Sequence, residues 1–210
     1  TCTGVVTMNT QPTSLTATTE ISVNTQGGLA TVQIPAGAFQ SGTNITVSGT
    51  PPPFPGPTST ESSITGTNVG IQILTDNGLQ PKSPVFLTIQ YRAADIAGIA
   101  PSRLFIARYD DDRRRWVPLV SSVDTESRKV SSATNHLSLF QIMASVPASD
   151  LEQVKVFPNP WRPVTGQTSM TFVNLPADTN LRVHTFRGEL VRQLKANSAG
   201  MASWDGKNDY

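Results

Sequence analysis

Hydrophobic positions along this 210-residue chain recur at every second residue in short runs, and glycine, proline or an Asx turn former closes most of them. A period of two predicts strands rather than helices. Runs of this kind cover 20–24, 30–34, 45–50, 69–74, 85–91, 104–109 and 116–120, with a polar hairpin over 123–131. Asp76-Asn77-Gly78 supplies a turn, because Asn and Gly accept positive φ. Residues 51–57 hold five prolines in seven and predict a polyproline-like surface loop, whose Phe54 also suits an aromatic groove. Residues 95–100 read as one helical turn. The centre of the pattern is 133–144. There Leu137, Leu139, Gln141 and Met143 face one way and Ser138, Phe140, Ile142 and Ala144 the other. Both faces are largely apolar, so a central strand buried on two sides is expected.

After residue 146 the alternation lapses and then restarts at Val154. The organisation that follows is all-β, two tandem antiparallel β-sandwiches. An extended N-terminal arm spans 1–19, a first sandwich 20–146, a linker 147–153 and a second sandwich 154–210. The arm has β-favouring content and little core material. It reads as a linker, or as a strand added to a neighbouring subunit's exposed edge.

Composition narrows the class. Thirteen of the first fifty residues are threonine and the chain has sixteen prolines, which favours strands broken by turns. Net charge is +1 with 15% charged residues, so no basic footprint for nucleic acid or an anionic membrane is present. No apolar run reaches the roughly 18 residues of a membrane-spanning helix. No signal peptide opens the sequence, as in a mature secreted chain. The single cysteine, Cys2, excludes an internal disulfide framework and reads as an inert thiol or an intermolecular link. An uncharged, threonine-rich β composition fits the outside of a bacterial cell. No cofactor is implied, and the expected partners are other protein chains, copies of itself among them.

Two local constellations carry chemistry. Asp110, Asp111 and Asp112 put three carboxylates in one turn, which hard cations such as Ca²⁺ favour. The adjacent Arg113, Arg114 and Arg115 oppose a cation, so a solvated hairpin tip of mixed charge is the competing reading. The second is His136-Leu137-Ser138 at the mouth of the central strand. The Ser138 hydroxyl is placed to attack the Leu137 carbonyl, with His136 taking the proton and water hydrolysing the ester. Such a shift also needs a strained peptide and a group that stabilises the oxyanion. The competing reading makes His136 a hydrogen-bonded turn residue and Ser138 a satisfied polar position. His184 lies in the other predicted domain and reads as sheet surface.

The segment 104–143 resembles the end of the β-sandwich domain shared by ankyrins, netrin receptors and zonula-occludens proteins, which bacterial surface proteins also carry. The resemblance rests on Leu104–Tyr109, Asp110 to Asp112, Trp116-Val117-Pro118-Leu119 and His136-Leu137-Ser138. Gly27-Gly28 and Ile34-Pro35-Ala36-Gly37-Ala38 match an earlier element of the pattern. Some members, and the related GAIN domains of adhesion receptors, cut their own backbone before the Ser or Thr. The resemblance therefore implies His136, Leu137 and Ser138 as a self-cleavage candidate. From Val154, the Pro158-Asn159-Pro160-Trp161, Gly188-Glu189-Leu190-Val191-Arg192 and Trp204-Asp205-Gly206 pieces resemble the immunoglobulin-like domain of flagellar hook-capping proteins. In that family Trp-Asp-Gly precedes further strands that close the sandwich, with the Trp as a core plug. The resemblance thus implies a second, immunoglobulin-like sandwich lacking its last strands and exposing an unpaired edge. A strand from another chain would complete it, 1–19 being one donor, and head-to-tail donation would build a filament. The expected function is a non-enzymatic structural or adhesive module of a bacterial secreted or cell-surface protein.

Overall fold

In the computed structural model residues 6–40, 42–57, 64–157, 159–162 and 169–209 are described. Cys2, Val5 of the candidate donor strand, Pro158 and Pro163 lie outside them. The chain divides into two compact units, Thr1–Ala144 and Ser145–Tyr210. The architecture is all-β, with antiparallel sheets and two short 3-10 turns, Ala93–Ile96 and Pro101–Arg103.

The first unit contains β1 (Met8–Pro12), β2 (Thr19–Thr25), β3 (Gly28–Ile34), β4 (Asn44–Ser48), β5 (Ile64–Thr75) and β6 (Val85–Gln90). It continues with β7 (Leu104–Asp110), β8 (Arg115–Pro118), β9 (Ser121–Asp124), β10 (Lys129–Thr134) and β11 (Leu139–Ser145). One sheet has the order β1-β4-β5-β11-β7-β8 and the other β2-β3-β6-β10-β9. Alternate residues of both sheets meet between them. Ile21, Val23, Val32, Ile45, Val47, Ile71, Ile73, Leu87, Ile89, Ile106, Phe140 and Ile142 are fully buried in one core. The β-branched positions that make these segments strands are therefore the positions that fill the sandwich.

β11 is buried along its whole length and lies between β5 and β7. Phe140, Ile142 and Ala144 join the shared core, as the alternation predicts. Contact with β5 is close. A Cβ at Gly70 would sit 1.9 Å from the Phe140 carbonyl oxygen, so this crossing admits only glycine. The alternation does not extend to Leu137. Residues 136–138 form the corner between the two sheets rather than a strand, and Leu137 turns into the same core as Phe140.

Residues 8–12 are not a free arm. They pair antiparallel with β4, from Met8 opposite Ser48 to Pro12 opposite Asn44, and form one edge of the six-stranded sheet. Their side chains are mostly exposed, so the backbone ladder holds this strand without any apolar alternation. The proline loop also docks on the chain itself. The Trp116 indole N–H donates to the Pro55 carbonyl at 2.9 Å, and the Phe54 ring lies 6.3 Å from that of Trp116.

The second unit contains β12 (Lys155–Phe157), β13 (Met170–Val173), β14 (Asn180–His184), β15 (Leu190–Lys195) and β16 (Ala202–Trp204). A three-stranded sheet, β12-β13-β16, and a two-stranded sheet, β14-β15, share a small core of Leu175, Ala196 and Ala202. Val154, Phe172, Leu181 and Leu194 pack against it half-buried. The start of the expected linker is already bonded into this unit, Ala148 N–H donating to the Leu175 carbonyl at 3.2 Å. Trp204 is half-exposed instead of a core plug. Its ring centroid lies 5.8 Å from that of Trp161, and Gly206 sits beneath Trp161, where a Cβ would come within 2.0 Å of the ring. One edge of β15 is partly covered. Asp209 N–H donates to the Val191 carbonyl at 3.1 Å, the Asp209 carboxylate accepts from Gln193 N–H at 3.1 Å, and it pairs with Arg192 at 2.9 Å.

Candidate functional site

The His136-Leu137-Ser138 triplet lies where the chain crosses from β10 in one sheet to β11 in the other. A second crossing, from β5 to β6, passes beside it and carries Gln80. The Gln80 side-chain amide grips the Leu137 backbone from both sides. Its Oε1 accepts from Leu137 N–H at 2.5 Å, and its Nε2 donates to the Leu137 carbonyl at 3.4 Å. Backbone groups at a buried corner have no ladder partner, so a side chain must satisfy them. Gln80 does so for both groups of Leu137.

Ser138 is wired to the strands on both flanks of β11. Its hydroxyl donates to the Tyr109 carbonyl of β7 at 2.8 Å, and its own carbonyl accepts from Ile73 N–H of β5 at 2.9 Å. The hydroxyl thus continues the β11–β7 ladder by one step beyond the last main-chain partners. Thr134 fixes the turn before it. Its hydroxyl donates to the His136 carbonyl at 3.0 Å and accepts from His136 N–H at 3.1 Å. The His136 pKa is lowered by burial and, second, by the nearby Arg108 cation, against a smaller opposing pull from Asp110. The imidazole is accordingly neutral at neutral pH, the form a general base requires.

The structure thus brings the three predicted residues into one corner and adds Gln80, Tyr109 and Arg108. Four conditions bear on self-cleavage. A neutral base is present in His136, and a donor from Gln80 reaches the carbonyl oxygen that attack would turn into an oxyanion. That donor stands at 3.4 Å, beyond the roughly 2.7–3.1 Å of an effective oxyanion contact. The nucleophile's proton is directed to the Tyr109 carbonyl, which cannot accept it as a base. None of the three residues adopts the left-handed backbone found at Asn68, Arg114, Arg128, Asn174 and Asp178, so no φ strain of that kind loads the Leu137–Ser138 peptide.

Asp110 is not part of an exposed triad. It is buried at the β7–β8 turn, where one carboxylate oxygen accepts from Arg113 N–H and the other from the Arg113 guanidinium, both at 3.1 Å. Burial alone would raise its pKa, but the Arg113 hydrogen bonds and the Arg108 charge outweigh that and hold it below the usual carboxylate value. Asp111 and Asp112 are exposed. Among the described residues no three His, Cys, Asp or Glu side chains group to hold a metal ion, and no helix is long and apolar enough to cross a membrane. His184 is exposed on β14, its Nδ1 lying 3.0 Å from the Gly188 carbonyl.

No protein-family model matches this chain, and no curated protein matches it.

Proposed function

We propose that the chain is a non-enzymatic structural or adhesive module of a bacterial secreted or cell-surface protein. The observation that carries this reading is the commitment of the Ser138 hydroxyl to the Tyr109 carbonyl while Gln80 holds the Leu137 peptide. Those bonds tie three segments of the first sandwich together at the one place where self-directed chemistry is plausible on residue type. The threonine-rich composition with only 15% charged residues, and the resemblance to surface-protein sandwiches and to an immunoglobulin-like module, give the reading its location. The test is the intact mass of the purified chain under denaturing conditions. A single species at the sequence mass of 22.5 kDa is expected. Two fragments meeting between Leu137 and Ser138 would overturn it.

The second reading, a single-turnover cut of the Leu137–Ser138 bond, is favoured by one observation, the neutral His136 beside a carbonyl that already has a side-chain donor. It requires the Ser138 hydroxyl to leave Tyr109. A cut that Ser138→Ala abolishes and hydroxylamine accelerates would establish it. Strand exchange between neighbours is a finer version of the first reading. Residues 8–12 pair with β4 of their own chain, so donating the 1–19 segment to a neighbour's second sandwich would first break that ladder. It predicts assembly that rises with concentration and is lost on deleting 1–19.

A further inference from the structure

Besides the corner, the first unit carries a cleft of about 580 Å³ that none of the sequence motifs accounts for. Its volume falls within the roughly 300–1,000 Å³ of small-molecule sites. Among the described residues no acidic, basic or histidine side chain lines it. One wall is Pro51 to Pro53 with Phe54. Asn24, Gln26 and Asn68 also line it, with Thr7, Thr25 and Thr50. We propose that this cleft binds a neutral glycan chain. The inference rests on the adhesive reading and names what the module would adhere to.

Charge argues first. A phosphate, a sulfate or an acidic peptide needs a cation, and an amine needs a carboxylate. The described lining offers neither, which favours a neutral ligand. Hydrogen-bonding capacity argues second. Asn68 is exposed, adopts a left-handed backbone with φ 60°, and its amide bonds no other described residue. An amide presents two donors beside one acceptor, the set that a pair of adjacent sugar hydroxyls matches. Asn24 spends its amide nitrogen on the Val6 carbonyl, which leaves its oxygen to accept. Preorganisation argues third. The Phe54 ring is braced against buried Trp116, and three consecutive prolines have fixed φ, so little ordering cost falls on the protein when a ligand lies against this wall. A half-exposed aromatic ring flanked by uncharged amides and hydroxyls suits the apolar face and the polar rim of a pyranose together.

The test is an amide-resolved NMR titration of the full chain with cellotetraose, xylotetraose, maltotetraose and chitotetraose, and with hexaproline and hexaglutamate peptides as contrasts. Shifts at millimolar saccharide confined to Gln26, Gly49, Thr50, Phe54, Asn68 and Gly70 are expected for at least one sugar. Asn68→Gly keeps the left-handed backbone accessible while deleting the amide, and should weaken that binding at least fivefold with unfolding unchanged. Phe54→Ala should weaken it at least tenfold. The inference is overturned if no saccharide shifts these residues, if a peptide alone does, or if Asn68→Gly binds as tightly as the parent. Beads coated with the chain and applied to bacterial cell walls separate the two levels. Adhesion without any saccharide shift overturns the glycan site and leaves the adhesive reading standing, whereas neither adhesion nor shift removes both.

Discussion

In the first unit two sheets of six and five strands close over large aliphatic side chains, Ile21, Ile45, Ile71, Ile73, Leu87, Ile89 and Ile142 among them, with Phe140 at the centre. In the second, a three-stranded and a two-stranded sheet share a small buried cluster of Leu175, Ala196 and Ala202, with Val173, Ala199 and Met201 also buried, while Phe172, Leu181 and Leu194 stay half-buried. The same strand chemistry therefore yields two different sources of stability. Burial of apolar area scales with side-chain size and with sheet width, and the first unit has both. A two-stranded ribbon such as β14–β15 is marginal alone. The second unit compensates with local devices: the Trp161–Trp204 contact over Gly206, and Asp209 bound to the backbone of β15. It follows that the first unit is sensitive to cavities and the second to its turns.

Two tryptophan sites make this separation measurable, since Trp116 reports the first unit and Trp161 with Trp204 the second. The largest effect is expected at Phe140. Phe140→Ala opens a cavity in the centre of the first core and should cost about 3–5 kcal/mol. In urea unfolding the Trp116 transition should move to much lower denaturant while the Trp161 and Trp204 transition stays in place. A common shift of both would show that the units unfold as one, and the comparison would collapse. The reverse experiment is Gly206→Ala. Its φ of +80° is costly for a residue with a Cβ, roughly 1–2 kcal/mol, and the added atom would strike the Trp161 ring. Overpacking adds about 1–3 kcal/mol. Loss should appear in the second transition alone, and an unmoved second transition would mean that the turn does not support that unit.

Gln80→Ala comes next. It strands the Leu137 N–H and carbonyl at a buried corner, at about 1–3 kcal/mol for an unsatisfied group. Ser138→Ala removes one hydrogen bond to Tyr109 and should cost about 1 kcal/mol. Both belong to the first transition, and in both the chain should remain a single uncut species. If Gln80→Ala left stability untouched, the corner would not be the fastening described above.

Much of this was legible in the sequence, and the parts that were not share a cause. Period two with β-branched residues placed β2, β3, β6, β7 and the two-sided burial of β11, because those strands are defined by side chains entering a core. β1 was hidden because Met8-Asn9-Thr10-Gln11-Pro12 contributes only its backbone to an edge. The early part of β5, through Gly66 and Asn68, was hidden because glycine there answers the close approach of β11 and not any local preference. At the corner, the triplet was visible as residue types, but its chemistry was decided by partners far along the chain. Gln80 lies 57 positions from Leu137, and Tyr109 lies 29 from Ser138. No local pattern marks either one. Leu137 likewise broke its expected alternation because the chain changes sheets at that point.

The smallest effect tests the corner through its histidine. Burial lowers the His136 pKa in the folded chain, with Arg108 adding to it, while in the unfolded chain it returns to about 6.5. Well above pH 6.5 His136 is neutral in both states and contributes no pH dependence. As pH falls through that value the unfolded chain takes up the proton first, so stability declines, and the decline levels off once pH drops below the lowered folded value. Asp95 and Asp110 are held low by Arg92 and Arg113 and lose their contributions only in the carboxylate range, at more acid pH. The two regimes therefore separate. The Trp116 transition should weaken between pH 7.5 and 5.5 in the parent chain, and His136→Gln should flatten that part of the profile while leaving the acid limb below pH 4.5 intact. The second unit's transition should show no His136-linked change. A parent profile that is flat down to pH 5.5 would mean that the corner does not lower the His136 pKa, and its neutrality as a base would no longer follow.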